Sequence, residues 1–484
     1  MRAFQQNKTR RFFALISLPS TAMGFALSIQ ISALSWILIT QYGLDIHDVG
    51  LVWAAGPLAG IIGQVLIGVI SDRVWFWGGR RRPFILVGGV LAALMLLALP
   101  NLDVISGAMG IEGILGVAIA VALTLDLAIN VSFNPTRSII ADVTDEGDER
   151  TKGYTWMQTI SGTFGVAAYA VGALWNNYVL IYGGALVVLA FSILPPLLIT
   201  EPRALEQTQD EEQDSHTARE GSLWGMLVAI RPLWGFLVYD VYAMGRRILG
   251  IEPETYYAEI ACVIATLLLV AQALLEKERP GRGGLSPFRK VIAAHSFSWI
   301  GIQTTFVFLV PYLQQALPDL SDIDIGRVNS TSFLVLNAVG ALLPAFVLMP
   351  IAHRIGRVRT HTLSLACMTA GYIGLWLNGA STLSIYLLMA VVGIGWAAIV
   401  SLPFAIVSQK VNQARMGLYM GLFNLSVVLP QLVVSLGIAL FISRAPDKNV
   451  IFALSAASLA LSALSWSFVR EDDAGNDVNG RADP

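Results

Sequence analysis

The stretch Phe84-Ile-Leu-Val-Gly-Gly-Val-Leu-Ala-Ala-Leu-Met-Leu-Leu-Ala-Leu-Pro-Asn-Leu102 decides the class of fold to which this chain belongs. It contains no charged residue and has the length of about 20 residues that a helix needs to cross the hydrocarbon core of a bilayer. The whole chain has the same character, because 55% of its 484 residues are hydrophobic and 13% are charged. Soluble proteins carry about 25% charged residues. The sequence therefore predicts an all-α polytopic membrane protein.

Apolar runs of spanning length recur along the chain and predict twelve core spans. They lie at about 12–40, 49–70, 84–102, 113–141, 154–175, 178–199, 289–316, 328–351, 361–379, 383–408, 414–442 and 449–469. The first run follows basic residues and could resemble a signal peptide, but it is far longer than a signal core of 7–15 residues. We therefore interpret it as a retained first span.

Residues 201–288 interrupt this pattern between the sixth and seventh spans and contain two further apolar runs, at about 223–245 and 257–275. Both runs must cross the membrane or neither does, since a single extra span would invert the second half. A spanning hairpin and a pair of helices lying on the cytoplasmic face both satisfy this condition. The predicted domains are a six-helix bundle at 1–200, this linker at 201–288, a second six-helix bundle at 289–470 and a polar tail at 471–484.

Positive charge predicts the orientation of the spans, because cytoplasmic loops are enriched in Lys and Arg. The basic clusters fall on one side if the twelve spans alternate, and they lie at 8–11, 73–82, 150–152, 279–290, 354–359 and 410–415. We therefore expect a multi-pass protein of the cell (inner or plasma) membrane with both termini in the cytoplasm. The net charge of -2 gives no indication of a nucleic-acid partner. Cys262 and Cys367 lie in apolar runs, which argues against a disulfide framework or a zinc site.

A short basic loop occurs twice, at equivalent places in the two halves. Ser71-Asp72-Arg73 followed by Gly79-Arg80-Arg81-Arg82 comes after the second span, and His353-Arg354-Ile355-Gly356-Arg357 comes after the eighth. Such internal repeats are typical of secondary transporters. We predict a cytoplasmic charge cluster that holds an inner gate, although solvated anchoring charges would also explain the loops. The candidate gate residues are Asp72, Arg73, Arg80, Arg81, Arg82, Asp142, Arg354 and Arg357.

These loops resemble the D-R-x-G-R signature of the major facilitator superfamily, and the wider sequence resembles the sucrose-type carriers within it. That group contains the plant sucrose/proton symporters with their animal relatives and bacterial homologues. The resemblance is carried by Gly68–Arg73, Gly79–Ile85, Trp53-Ala-Ala-Gly-Pro57, Leu125-Asp126-Leu-Ala128, Gly395-Trp396-Ala397-Ala398 and Gly421-Leu-Phe-Asn424. It implies two pseudo-symmetric six-helix bundles that work by alternating access. The sequence departs from the plant carriers in span seven, where residues 297–306 contain no carboxylate.

The fourth span carries the mid-membrane carboxylate Asp126. With 3.6 residues per turn, Asp126, Asn130, Asn134 and Arg137 form one polar stripe on a helix whose opposite face is apolar. Ionisable groups inside spans are functional candidates by default. The resemblance implies that Asp126 accepts the coupling proton and that Arg137 is needed for coupling; no other cofactor is expected. A packing salt bridge for Asp126, and an Arg137 side chain that snorkels to the interface, are the alternatives.

Sugar sites combine aromatic faces with amide and hydroxyl hydrogen bonds. The candidates for substrate binding are Gln30, Trp53, Gln64, Asn130, Phe133, Asn134, Gln158, Trp299, Gln303, Trp396, Asn424 and Gln431. The spacings Gly56-x-x-x-Gly60 in span two and Gly417-x-x-x-Gly421 in span eleven further predict close approach of helices. Spans two and eleven face each other across the halves in the family that the chain resembles.

These features favour a proton-coupled symporter of a sugar, with sucrose, maltose or a related α-glucoside as substrate and the lipid bilayer as surroundings. A monomer is expected. A carrier with the same fold for a non-sugar solute, such as an organic acid, a lipid or a drug, is the main alternative. The absence of a P-loop motif and of clustered acidic or His residues argues against an ATP-driven pump and against an enzyme. A non-transporting sensor is a further alternative.

Overall fold

The computed structural model of the protein describes residues 8–60, 74–145, 148–201, 223–251, 255–277, 285–411 and 416–471. Spans one to six form the N-terminal half. Their helices are Arg10–Thr40, Ile46–Trp53 with further helix at 55–60, Arg82–Ala98 continued by Leu102–Met109, Leu115–Val143, Asp148–Leu174 and Asn177–Leu198. Span two is thus described only as far as residue 60. The predicted all-α fold is confirmed, since the described ranges contain only helices and one isolated bridge between Phe76 and Gly79.

Spans seven to twelve form the C-terminal half, in which three spans are interrupted. The helices are Leu285–Ala316, Asp322–Leu343 with Met349–Ile355, Arg357–Asn378, Thr382–Ile399 with Leu402–Lys410, Met416–Val433 with Ala439–Arg444, and Val450–Trp466. Span eight bends by 47° at the wide turn Pro344–Leu348, because proline removes a helical hydrogen bond and crowds the preceding turn. Span seven begins at Leu285, before the predicted boundary at 288.

Within the described ranges, eight helices are long and apolar enough to cross a membrane, and the bent span eight makes a ninth. Seven of the eight are predicted core spans and the other is Tyr257–Leu275, the second apolar run of the insertion. Spans five and nine are long helices of 27 and 22 residues that are less apolar, and span twelve has 17 residues. The chain is therefore a multi-pass membrane protein, as predicted.

The two halves touch mainly through spans one, two and five on one side and spans seven, eight and eleven on the other. The Trp36 indole donates to the carbonyl of Asp322 at 2.6 Å, and the Ser35 hydroxyl donates to the carbonyl of Val307 at 2.8 Å. These contacts lie near the end of span one and the beginning of span eight. We call this side of the bundle the outer end, following the predicted orientation, and the opposite side the inner end. The structure is closed at the outer end.

The insertion forms a helical hairpin that extends from one end of the bundle to the other. Its helices are Leu223–Ala229, Trp234–Ile248 and Tyr257–Leu275. At its base the Arg289 guanidinium donates to the carbonyl of Val228 at 3.0 Å and to the Glu276 carboxylate at 3.0 Å. Arg289 belongs to the first turns of span seven, so these bonds lie at the inner end.

The opposite tip of the hairpin contacts the outer end. Arg247 lies 3.8 Å from the Asp48 carboxylate at the start of span two. The Arg444 guanidinium, at the end of span eleven, donates to the hydroxyl of Tyr256. Contacts at both ends require the inserted helices to run alongside the core spans. This arrangement favours the spanning hairpin over the alternative in which the pair lies on the cytoplasmic face.

Candidate functional site

Asp126 lies where spans one, two and four meet in the core of the N-terminal half. It is 5% exposed, and its carboxylate accepts one hydrogen bond, from the Gln30 amide at 3.0 Å. Gly56 of span two provides the space, since a Cβ added there would lie 3.3 Å from an Asp126 oxygen. Among the described residues, no Lys, Arg or His forms an ion pair with Asp126. The predicted packing salt bridge therefore has no cation in the part of the chain that the structure describes.

The remainder of the polar stripe extends from Asp126 toward the inner end. The Asn130 amide donates to the backbone carbonyl of Asp126 at 2.8 Å. One turn further, Phe133 supports Arg137, whose guanidinium carbon lies 4.4 Å from the ring centroid in a cation–π contact. Arg137 is exposed, and no described carboxylate lies within ion-pair distance of it. It is therefore a cation held by an aromatic ring on its own helix, which is compatible with coupling and with snorkelling.

Two of the predicted amides meet between spans seven and eleven. The Gln431 side chain donates to the Gln303 carbonyl oxygen at 3.1 Å, and Gln303 is 3% exposed. A buried amide keeps its position only when it has hydrogen-bond partners. Gln303 and Gln431 thus form a hydrogen-bonded polar pair inside the C-terminal half, as Gln30 and Asp126 do inside the N-terminal half.

Five rings from both halves form an aromatic cluster, which we define as Tyr169, Trp299, Phe306, Phe333 and Trp396. Trp396 contacts Trp299 at a centroid distance of 6.2 Å and Phe306 at 5.4 Å, in both cases edge to face. Phe333 contacts Phe306 at 5.2 Å and Tyr169 at 6.0 Å. Because Tyr169 belongs to span five and the other four rings belong to the C-terminal half, the cluster bridges the two halves.

Polar groups surround this aromatic cluster. The Trp396 indole donates to the Asn337 side chain at 3.2 Å, and the Tyr169 hydroxyl lies near the side chains of Asn337 and Ser28. The Trp299 indole donates to His295 at 2.9 Å. Rings beside amide and hydroxyl groups are the chemistry that binds sugars. Sequence reasoning missed Tyr169, Asn337 and His295, although Asn337 satisfies the rule for mid-span amides that selected the others.

The remaining substrate candidates occupy separate places. Trp53 is buried at the outer end, where its indole donates to the Ser35 hydroxyl at 2.8 Å. Asn134 and Asn424 are half-buried, whereas Gln158 is exposed. Gln64 lies outside the described residues. Trp53 therefore belongs to the closed contact between the two halves at the outer end, which we call the outer seam, and not to the aromatic cluster.

At the inner end, the first copy of the basic loop is fixed to its own half. The Arg81 guanidinium donates to the Asp142 carboxylate at 3.0 Å; Arg81 is buried and Asp142 is largely buried. Glu201, directly after span six, accepts backbone N–H bonds from Arg80, Arg81 and Arg82 at 2.7–2.8 Å. Its carboxylate thus caps the first turn of span three, where free N–H groups and the helix dipole favour an anion.

The second copy is held in the same way. Glu471, directly after span twelve, accepts backbone N–H bonds from Arg357 at 2.6 Å and from Val358 at 2.8 Å, at the start of span nine. In both copies of the predicted repeat, a Glu carboxylate from the end of the same half accepts backbone N–H bonds from the basic loop. We call this contact a carboxylate staple; the loop sequences themselves do not contain it. Arg354 is exposed, and Asp72 and Arg73 lie outside the described residues, so a gate formed by the whole cluster stays a prediction.

A metal centre is not evident in the part of the chain that the structure describes, where no three His, Cys, Asp or Glu side chains form a group that could hold an ion. Two helical halves closed at one end, with the carboxylate of Asp126 buried and without an ion pair among the described residues, are the features of a membrane carrier. The model of the Major Facilitator Superfamily matches residues 16–435. The chain belongs to this superfamily.

Similar proteins place the chain more narrowly. It is 24% identical over 483 residues to the sucrose transport protein SUC4 of Arabidopsis thaliana, a match that covers 87% of this chain and 83% of the relative. It is 30% identical over 176 residues to the general alpha-glucoside permease of Schizosaccharomyces pombe, covering 33% of this chain and 32% of the relative. The resemblance to sucrose-type carriers is thereby confirmed.

The fold is also similar to that of solved transporters. The inward open conformation of the xylose transporter XylE from E. coli matches with a TM-score of 0.58 and 15% identity, covering 96% of both chains. At this identity the match shows the fold alone. It confirms the predicted major facilitator architecture of the chain.

Proposed function

We propose that this protein is a proton-coupled symporter of a sugar, with sucrose, maltose or a related α-glucoside as the substrate class. The observation that carries the proposal is the isolation of Asp126, which is buried with one amide partner and no cation among the described residues. An ionised carboxylate is strongly unfavourable in such surroundings unless it is paired. Asp126 therefore holds a proton in the closed core and releases it where water enters.

The contacts of span one link this proton to the movement of the halves. Gln30, the partner of Asp126, precedes Ser35 and Trp36, which bond across to span seven and span eight at the outer end. These residues lie about 9 Å apart along one helix. A change in the Asp126–Gln30 contact is therefore carried by span one to the outer seam.

The energetics are sufficient for accumulation of a neutral sugar. One charge that moves through 100 mV gains about 2.3 kcal/mol, which corresponds to a concentration ratio of about fifty-fold. The aromatic cluster supplies ring faces, and Asn337, Gln303 and Gln431 supply hydrogen bonds nearby. The relatives named as sucrose and alpha-glucoside carriers support the same substrate class. Operation as a monomer in the cell membrane, with both termini in the cytoplasm, belongs to the proposal.

The test is sugar uptake into proteoliposomes under an imposed pH gradient, with a panel of mono- and disaccharides and a pH-sensitive dye in the lumen. We expect the lumen to acidify when an α-glucoside is added outside. Asp126→Asn should abolish accumulation against a gradient but retain exchange of labelled for unlabelled sugar. Asp103→Asn, which removes an exposed acid at the outer end, is the matched control and should behave as the parent protein.

Continued accumulation by Asp126→Asn would contradict the coupling role. Proton flux evoked by an organic acid, a lipid or a drug, with no response to any sugar, would identify the alternative carrier for a non-sugar solute. Tight sugar binding with background flux would identify a sensor.

A further inference from the structure

The inserted hairpin contains a second buried carboxylate, which has no role in the coupling proposed above. Asp240 lies in helix Trp234–Ile248 and is 5% exposed. Neither of its carboxylate oxygens has a hydrogen-bond partner in the part of the chain that the structure describes. An ionised carboxylate cannot remain in such a place at moderate free-energy cost. Asp240 is therefore protonated in this closed arrangement.

The neighbours of Asp240 on its helix show which surface it faces. One turn before it, Phe236 contacts Phe297 of span seven at a ring-centroid distance of 6.2 Å. One turn after it, Met244 packs against an apolar group from both halves. Residues four apart share one face of a helix, so Asp240 faces the junction of the hairpin with the bundle. The apolar group consists of Leu51 and Ala54 from span two with Leu432 and Leu436 from span eleven.

The titratable groups on the elements around Asp240 are engaged elsewhere. Arg246 on the same helix pairs with Glu259 of the second inserted helix at 2.8 Å, and Arg247 lies beside Asp48 of span two. Other such groups on these elements are Tyr239 and Tyr242 on the same helix, Tyr257 and Cys262 on the second inserted helix, Arg289, Lys290, His295 and Tyr312 on span seven, His47 on span two, and Tyr419 and Arg444 on span eleven. In the described ranges none of them forms an ion pair or a hydrogen bond with Asp240.

Opening of the outer end must separate span two from span eleven, and hence Leu51 and Ala54 from Leu432 and Leu436. The hairpin packs on both sides of this seam, so separation would admit water to Asp240. The side chain could then ionise without the penalty that burial imposes. Closing the seam again would require the proton to return.

We propose that Asp240 is a proton-binding site that controls the outer end of the carrier. The protonated side chain allows the seam to close, and the ionised side chain favours the open seam. Because the closed structure buries Asp240 at a seam that opens outward, its proton returns to the side from which it came and is not carried across the membrane. The inference requires only a carrier that alternates, and it depends neither on the substrate nor on Asp126.

The test measures the width of the outer end as a function of pH by double electron–electron resonance in nanodiscs. Spin labels replace Glu112 and Ala380, two exposed residues on the outer loops of the two halves, after the two native cysteines are changed to serine. All proteins carry Asp126→Asn, so that titration of Asp126 makes no contribution. We expect the open-to-closed ratio to rise with pH, by up to about tenfold per pH unit for one linked proton.

Asp240→Asn should show a low open-to-closed ratio that does not change with pH, because it is neutral and has nearly the same shape as the protonated acid. Asp240→Leu serves as a second neutral variant. Asp319→Asn removes an exposed acid from the outer loop between spans seven and eight, and should keep the pH dependence of the parent. A flat pH profile of the parent, or a sloping profile of Asp240→Asn, would overturn the proposal.

Measurements of transport distinguish control of the outer end by Asp240 from proton coupling by Asp126. In a background with Asp126 intact, Asp240→Asn should leave the number of protons moved per solute unchanged, lower the rate of uptake, and leave only the dependence of that rate on external pH that the Asp126 proton imposes. A fall in that number would show that the Asp240 proton is transported, and would overturn the proposal. A failure of the Asp126 hypothesis appears instead as accumulation by Asp126→Asn.

Discussion

Gly50 lies where spans two and eleven approach each other closely, and adding one methyl group there should weaken the closed outer end. A Cβ on Gly50 would lie 2.5 Å from the Cβ of Ala439 and 2.7 Å from the backbone oxygen of Ser435. Carbon atoms pack at about 3.5–4.0 Å, so the two spans would have to separate by about 1 Å. Neither obstructing atom belongs to a flexible side chain, so the helices themselves must move.

The magnitude follows from the cost of overpacking, which is about 1–3 kcal/mol for an added methyl group in a tight core. The penalty applies only while the outer end is closed, because opening separates the same two helices. At about 1.4 kcal/mol per factor of ten, the closed-to-open ratio should fall by about 5- to 140-fold. Alanine also stabilises a helix by about 1 kcal/mol relative to glycine, but it does so in both conformations.

The assay for Gly50→Ala combines the distance between spin labels on the outer loops with the rate of solute uptake. Gly421→Ala is the matched control, since it places the same methyl group in span eleven where no atom lies within 4 Å. We expect a longer outer distance and slower uptake for Gly50→Ala, with no change for the control. Equal distances and rates for the two variants would refute the close packing of spans two and eleven at this seam.

Three further predictions concern the inner end and the aromatic cluster. Glu201→Gln and Glu471→Gln should each destabilise the detergent-solubilised protein by about 1–3 kcal/mol. Each change removes an anion that accepts at least two backbone N–H bonds. Unchanged melting curves would contradict the staples. Asp142→Asn should destabilise the protein by about 1–3 kcal/mol, because it removes the carboxylate charge to which the buried Arg81 guanidinium donates. A melting temperature equal to that of the parent would show that the pair contributes nothing. Trp396→Phe keeps a ring but loses the indole donor, so KM for the sugar should rise about 2- to 13-fold with little change in kcat; an unchanged KM would place the sugar elsewhere.

The apolar pattern of the sequence predicted the spans, because each helix must satisfy its backbone internally and present an apolar surface to lipid. It could not predict which helices meet. Gln30 and Asp126 were each selected on their own helix, yet their 3.0 Å contact depends on how spans one and four pack. Likewise, the glycine spacings of spans two and eleven predicted close approach of helices, but not between which helices. Gly56 lies against Asp126 of span four, a Cβ on Gly60 would lie 3.8 Å from Val428 of span eleven, and Gly421 has no atom within 4 Å. A small residue indicates that another helix packs closely at its position, but it does not show which helix.

The two carboxylate staples also show that one sequence does not reveal which distant residues meet. Glu201 is 119 residues from Arg82, with which it shares a hydrogen bond of 2.7 Å, and no helical periodicity links two such positions. Parity of the spans allowed either topology for the insertion. The spanning hairpin is favoured by the contacts of its tip with Asp48 and Arg444, together with those of its base with Arg289. The tertiary partner of a charged group at a helix end is thus information that one sequence does not contain.

The staples also restrict how the carrier can move. Glu201 ties the end of span six to the start of span three, and Glu471 ties the end of span twelve to the start of span nine, so each bond stays within one half. Rocking of the halves leaves both staples intact. The contacts that must break lie instead between the two halves. They include the hydrogen bonds from Ser35 and Trp36, and those that Arg327, Asn329 and Ser330 of span eight donate to Trp175, Ser32 and Asn177, respectively. Because each such bond contributes about 0.5–1.5 kcal/mol, these bonds between the halves, and not the two staples, set the hydrogen-bond cost of opening, while each half remains rigid.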